Sequence, residues 1–126
     1  MKKVLIIDDS LLSRNMFKRA LGDQYTYIEA VDGVSGLEKY YLEKPDLVIL
    51  DLTMPGTGGF DVLAQIKQLN QEARVIMGSA DIQETSRQQA MHLGAVDFIT
   101  KPFIPEKVRD IIERALNEPG LNNDPS

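Results

Sequence analysis

The chain has 126 residues, of which 43% are hydrophobic and 26% charged, with a formal net charge of −5. That length fits one domain, the apolar share supports a core, and disorder is expected only at the ends. The acidic balance argues against non-specific binding to nucleic acid or a membrane surface, and the lack of cysteine removes disulfide frameworks and thiolate metal sites and fits a reducing compartment.

Strand-like and helix-like segments alternate along the chain. Residues 3–8 carry the run Val4-Leu5-Ile6-Ile7, expected of a strand covered on both faces. The run is too short for a signal peptide or a membrane span, so a soluble cytoplasmic protein is expected. Ser10 is placed to cap a helix carried by Leu11, Leu12, Met16, Phe17, Ala20 and Leu21, with Gly22 as its stop. Thr26 to Ala30 reads as a second strand, Asp32-Gly33 as a turn, and Val34 to Glu43 as a second helix that Pro45 ends. Asp46 to Asp51 is the third and most apolar strand. The loop Thr53-Met54-Pro55-Gly56-Thr57-Gly58-Gly59 leads to a third helix marked by Phe60, Leu63, Ile66 and Leu69. Arg74 to Met77 is a fourth strand, Gln83 to Leu93 a polar fourth helix closed by Gly94, and Val96 to Thr100 a fifth strand. Pro105 opens a fifth helix whose buried face is Val108, Ile111, Ile112, Ala115 and Leu116. Residues 1–117 form the expected domain; residues 118–126 are expected to be a flexible tail or the start of a linker.

Five βα units of this length predict an α/β fold, a doubly wound (βα)5 sandwich with helices on both faces of a parallel five-stranded sheet. Five strands favour the flavodoxin-like order 2-1-3-4-5 over the dinucleotide-binding order. Ligands of such sheets bind at the carboxyl ends of the strands, at the switch point between strands one and three. Four apolar runs end there on polar groups: Asp8 and Asp9, Asp51, Ser79 through Gly78, and Lys101.

Clustered carboxylates repel, by roughly 4 kcal/mol for two unit charges about 4 Å apart at an effective dielectric of about 20. Either one takes a proton or a cation sits among them. Oxygen ligands without histidine or cysteine select Mg²⁺, Mn²⁺ or Ca²⁺, and the ligand count suits Mg²⁺ best. Asp8 and Asp9 could instead cap the first helix, although one aspartate would serve. Asp51 is a third ligand or a nucleophile able to form an aspartyl phosphate; in isolation it could start a turn. Lys101 supplies a positive charge for Asp51 or for a phosphoryl group on it, and the peptide bond before Pro102 is one that can be cis. Ser79 is either a donor to an oxyanion or a cap for the fourth helix.

Together these positions resemble the receiver domain of bacterial two-component response regulators, most closely the single-domain CheY-like type. The resemblance is carried by Val4-Leu5-Ile6-Ile7-Asp8-Asp9-Ser10, by Asp46-Leu47-Val48-Ile49-Leu50-Asp51-Leu52-Thr53-Met54-Pro55, by Val75-Ile76-Met77-Gly78-Ser79-Ala80, and by Gly94-Ala95-Val96-Asp97-Phe98-Ile99-Thr100-Lys101-Pro102-Phe103. It spans roughly residues 2–117. The chemotaxis member of that family is itself a standard example of the 2-1-3-4-5 order, so the order is not independent of the resemblance. The resemblance implies that Asp51 accepts a phosphoryl group from a phosphohistidine on a sensor histidine kinase or phosphotransfer protein. Asp9, Asp51 and the Thr53 carbonyl would hold Mg²⁺, with Mn²⁺ as a substitute, and Asp8 would act through a metal-bound water. Lys101 would contact a phosphoryl oxygen. Ser79 would be the switch hydroxyl and Phe98 the switch aromatic, reshaping the face of helix four, strand five and helix five for an output partner. Dimerisation on phosphorylation through that face is a family option. No nucleic acid or membrane partner is implied for this chain. The chemistry implied is that of a switch, limited to self-phosphorylation and slow dephosphorylation, not that of an enzyme. Thr53 and Asp81 stand where the family tunes phosphoryl lifetime, with Asp81 placed to order a water. Two positions depart from the pattern: Gly78 stands where a larger apolar or small residue is familiar and is expected to loosen the loop or alter the resting place of Phe98, and Ser79 lacks the methyl of threonine.

Other readings fit less well. A flavin-type phosphate loop after strand one would not begin Asp8-Asp9. A phosphatase of the haloacid dehalogenase type expects an aspartate where Thr53 stands, and a cap. Gly56-Thr57-Gly58-Gly59 lacks the Walker lysine and reads as a flexible turn. His92 reads as a solvated helix residue, and Met54, Met77 and Met91 as core or loop packing. Within the family the alternatives are a stand-alone receiver and a receiver cut from a longer regulator with a separate output domain.

Overall fold

Apolar runs long enough for one strand, separated by amphipathic segments, fold into the alternation they predict. The computed structural model describes residues 1–54, 58–80 and 83–117. In chain order the elements are β1 (Lys2–Ile7), α1 (Leu11–Leu21), a 3₁₀ turn (Gly22–Gln24), β2 (Tyr25–Ala30), α2 (Gly33–Glu43), β3 (Leu47–Asp51), α3 (Gly59–Leu69), β4 (Val75–Ser79), α4 (Glu84–His92), β5 (Asp97–Thr100) and α5 (Pro105–Asn117). The five strands are parallel and lie in the order β2-β1-β3-β4-β5, the flavodoxin-like arrangement expected.

Strand residues alternate between two apolar layers. Val4, Ile6, Leu47, Ile49 and Ile76 pack with Phe17 and Leu21 of α1 and Val108 and Ile112 of α5. Leu5, Ile7, Val48, Leu50 and Met77 pack with Tyr40 of α2, Val62, Leu63 and Ile66 of α3 and Ala90 of α4. Helices on both faces explain why β1, β3 and β4 are apolar at successive positions rather than alternating ones. Each fully buried aliphatic side chain contributes about 1.5–3 kcal/mol.

Local signals set the boundaries. The Ser10 side chain accepts from Ser13 N–H at 3.2 Å, and Asp32 accepts from Ser35 N–H at 2.8 Å. Gly22, at φ 81°, ends α1 in a conformation that favours glycine. Gly36 lets α2 approach β1, since a Cβ there would fall 2.6 Å from Ile7 Cδ1.

Several expectations change. Leu11 and Leu12 are 60% and 79% exposed. Successive helix residues turn by about 100°, and the buried face of α1 is set by Ser13, Phe17, Ala20 and Leu21, so both leucines point away from the sheet. Leu69 and Met91 are exposed rather than packed. Ser79 is the last residue of β4, and α4 starts after Gln83 with no side-chain cap, so Ser79 does not cap that helix. His92 is exposed, as expected. Residues 118–126, expected to be a tail, and residues 55–57 of the expected loop lie outside the described residues. Among the described residues no helix is long and apolar enough to cross a membrane.

Candidate functional site

Register brings the strand ends into line. Ile7 pairs with Leu50, Asp51 with Gly78, and Ser79 with Thr100. The ladder continues one step further through Asp8 N–H to Ala30 O at 3.0 Å, Leu52 N–H to Gly78 O at 2.9 Å, and Lys101 N–H to Ser79 O at 2.8 Å. The residues that follow the apolar runs therefore share one rim.

Asp8, Asp9 and Asp51 each bring a carboxylate oxygen to within 4.8 Å of the other two. Asp8 and Asp51 are only 3% and 5% exposed, whereas Asp9 is open to solvent. Burial is the main cause that pushes the Asp51 carboxyl up, to about 6; Asp8 beside it pushes the same way, while Lys101 and the Thr53 N–H oppose. The Thr53 N–H donates to Asp51 Oδ1 at 3.3 Å. Burial also raises Asp8, against the Ser10 N–H that its Oδ1 accepts at 2.9 Å and against the charge of Lys101. Two buried carboxyl groups held above their ordinary range, with a third beside them, suit a hard divalent cation: it would relieve both the burial penalty and the mutual repulsion.

Lys101 follows β5 and is half-buried, with a cis bond to Pro102. Its Nζ lies 5.7 Å from the centroid of Phe103, whose ring packs on Phe17 at 4.6 Å. Gly78 proves to face this aromatic pair and not Phe98: a Cβ on Gly78 would meet Phe103 Cζ at 3.3 Å. The position also lies within β4 rather than in the loop. Ser79 is fully buried, and Phe98 is 8% exposed in the layer that includes Ala90 and Ala95. Asp81 lies outside the described residues.

Sequence reasoning overlooked Arg14. Its guanidinium donates to the main-chain carbonyl of Asp8 and to Glu29 of β2. Only an arginine close to the buried face of an amphipathic helix signals this, and no motif marks it.

A family model described as "Response regulator receiver domain" matches residues 4–113. The chain belongs to the response regulator receiver family. The chemotaxis protein CheY of Bacillus subtilis is 40% identical over 117 residues, covering 91% of this chain and 98% of that protein. The alkaline phosphatase synthesis transcriptional regulatory protein PhoP of the same organism is 34% identical over 120 residues, but there the match covers 48% of the relative. A chain in the crystal structure of the CheX-CheY-BeF3-Mg complex of Borrelia burgdorferi superposes with a TM-score of 0.86 at 31% identity, covering 93% of this chain and 90% of that chain. The domain is thus a CheY-like module of two-component signalling. Receiver domains are signalling switches rather than enzymes in the ordinary sense, and they bind Mg²⁺ through an acidic pocket; here Asp8, Asp9 and Asp51 form a cluster that could hold a metal ion.

Proposed function

We propose that this receiver accepts a phosphoryl group on Asp51 in a Mg²⁺-dependent step and reports it through the surface of α4, β5 and α5. The observation that carries the reading is the buried Asp51 carboxylate, clustered with those of Asp8 and Asp9 and within the field of Lys101. Asp9, Asp51 and the Thr53 carbonyl would hold the cation directly, with Asp8 acting through a water of its shell; Mn²⁺ is the natural substitute. A cation held there would supply charge neutralisation for the phosphoryl oxygens.

The chain's own groups do the rest. A carboxylate oxygen of Asp51 attacks phosphorus, the P–N bond of the donor phosphohistidine breaks, and the imidazole nitrogen leaves with the electron pair. Such transfer needs positioning and charge stabilisation more than covalent help. Lys101 offers its ammonium to a phosphoryl oxygen. The product carries about −2 of charge and three acceptor oxygens, toward which the Ser79 hydroxyl would turn. Its movement would open room for Phe98 to repack. The response falls on α4, where Ala90 is the only residue found buried. A sensor histidine kinase or phosphotransfer protein is the proposed donor, and dimerisation through the same face is one form the output can take.

Intact-mass spectrometry after incubation with Mg²⁺ and a small acyl phosphate tests this. A phosphoryl-sized gain is expected, absent in Asp51→Asn and absent with EDTA. No gain in a folded, Mg²⁺-bound protein would overturn self-phosphorylation from small donors. A second reading, a receiver within a longer regulator, is supported by the match to about half of PhoP; the length of the encoded reading frame decides between them.

A further inference from the structure

Behind the acidic crevice, α1 sends a guanidinium back to the strand that carries the first two aspartates. Arg14 Nη1 donates to the Asp8 carbonyl oxygen at 2.7 Å, and its Nε donates to Glu29 Oε1 at 2.8 Å. The side chain is 11% exposed. Glu29 stands opposite Ile6 in the sheet register. Its other carboxylate oxygen accepts from Lys18 Nζ at 2.7 Å, and its main-chain carbonyl accepts from Lys39 Nζ of α2 at 2.6 Å. The Glu29 carboxyl is held below its usual range, chiefly by Lys18. Asp8 is thereby tied at every main-chain polar group: its N–H donates to Ala30 O, and its carbonyl accepts from Arg14. One of its carboxylate oxygens accepts from Ser10 N–H.

We propose that Arg14, braced by Glu29, is a positioning residue that fixes the Asp8–Asp9 turn and so presets these carboxylates for the divalent cation. The inference rests on the Mg²⁺ reading above. A guanidinium can span two acceptors with fixed geometry, whereas an ammonium acts as a point charge. Hydrogen-bond partners behind metal ligands typically account for 10–100-fold in metal affinity.

The sign of the effect separates positioning from charge. As a mere cation, Arg14 would repel Mg²⁺, and its removal would tighten binding. As a positioning residue, it holds ligands in place, and its removal weakens binding.

The test is a Mg²⁺ titration, read by calorimetry and by amide shifts of residues 8–10, on wild type and on Arg14→Met, Arg14→Lys, Glu29→Gln and Lys18→Met. Urea unfolding of each variant runs in parallel. Arg14→Met and Arg14→Lys are each expected to bind Mg²⁺ about 10–100-fold more weakly, and Glu29→Gln to fall between them and wild type. Lys18→Met removes a cation and a Glu29 contact without touching Asp8, so its affinity should hold or rise even where stability drops. Unchanged or tighter binding in Arg14→Met overturns the proposal, as does equal weakening in Lys18→Met. Should Arg14→Met fail to fold, Arg14→Lys carries the test, because it keeps the stem and the charge. Wild-type protein that binds no Mg²⁺ overturns the site reading itself, an outcome distinct from variants that match a binding wild type.

Discussion

Replacing Asp51 by asparagine should stabilise the cation-free protein at neutral pH. Burial pushes the folded Asp51 carboxyl up to about 6, from an ordinary value of 3.8. Between those values the native state holds a proton that the unfolded chain has lost. The protonation-linked stability is therefore complete below about pH 4 and is lost as pH rises through 6. A gap of about 2 pKa units corresponds to about 3 kcal/mol. Asparagine keeps the shape and an acceptor for Thr53 N–H but carries no charge, so the variant escapes that loss. Urea unfolding in EDTA should show Asp51→Asn more stable by about 3 kcal/mol near pH 7.5, with the difference closing toward pH 4. For a domain of this size that is a rise in Tm on the order of 10 °C. Saturating Mg²⁺ should narrow the gap, because it stabilises wild type by mass action and finds one ligand fewer in the variant. A gain independent of pH, or no gain near neutrality, would refute the assignment of strain to the buried carboxylate.

Three further outcomes follow from the geometry. Lys101→Met should raise the titration midpoints of both Asp51 and Asp8, since Lys101 lowers each; a carboxyl NMR titration that shows no upward shift would rule out its electrostatic reach. Gly59→Ala should destabilise the fold by about 1–3 kcal/mol or more in urea, because its Cβ would fall 2.7 Å from Asp51 O and Leu52 Cα, main-chain atoms that cannot yield cheaply; wild-type stability would contradict that contact. Gly78→Val should displace the Phe103 ring from Phe17, visible as altered aromatic NMR shifts, whereas Gly78→Ala meets Phe103 at 3.3 Å and should need a shift of only a few tenths of an ångström; an undisturbed ring in the valine variant would show that Gly78 does not make room for it.

The strands were legible because each is a short apolar run that ends on a group the interior rejects. That same rule picks out Asp8, Asp9, Asp51, Ser79 and Lys101, which end or follow those runs. It could not phase α1. Leu11 and Leu12 look like core residues in a list, yet the buried stripe includes the polar Ser13 instead. Nor could it reveal that Gly78 makes room for Phe103, since the two are distant in sequence and meet only through the pairing of β4 with β5. Arg14 was hidden for a related reason. Its partners are a main-chain carbonyl, which every residue offers, and Glu29, whose proximity depends on β1 lying beside β2.

The uneven burial of the elements has an evolutionary reading. β1, β3 and β4, which carry the acidic residues and Ser79, have their interior side chains almost wholly buried, while α4 commits little more than Ala90 to the core. Substitutions on the outer surface of α4 thus carry little stability penalty, usually within about 0.5 kcal/mol, whereas most changes beneath the crevice would be felt throughout the fold. A lineage can therefore redraw the exposed surface of this helix, residue by residue, and leave untouched the packing that holds the acidic crevice. Diversity on the surface of α4 needs no new fold, only a loosely anchored helix beside a tightly packed sheet.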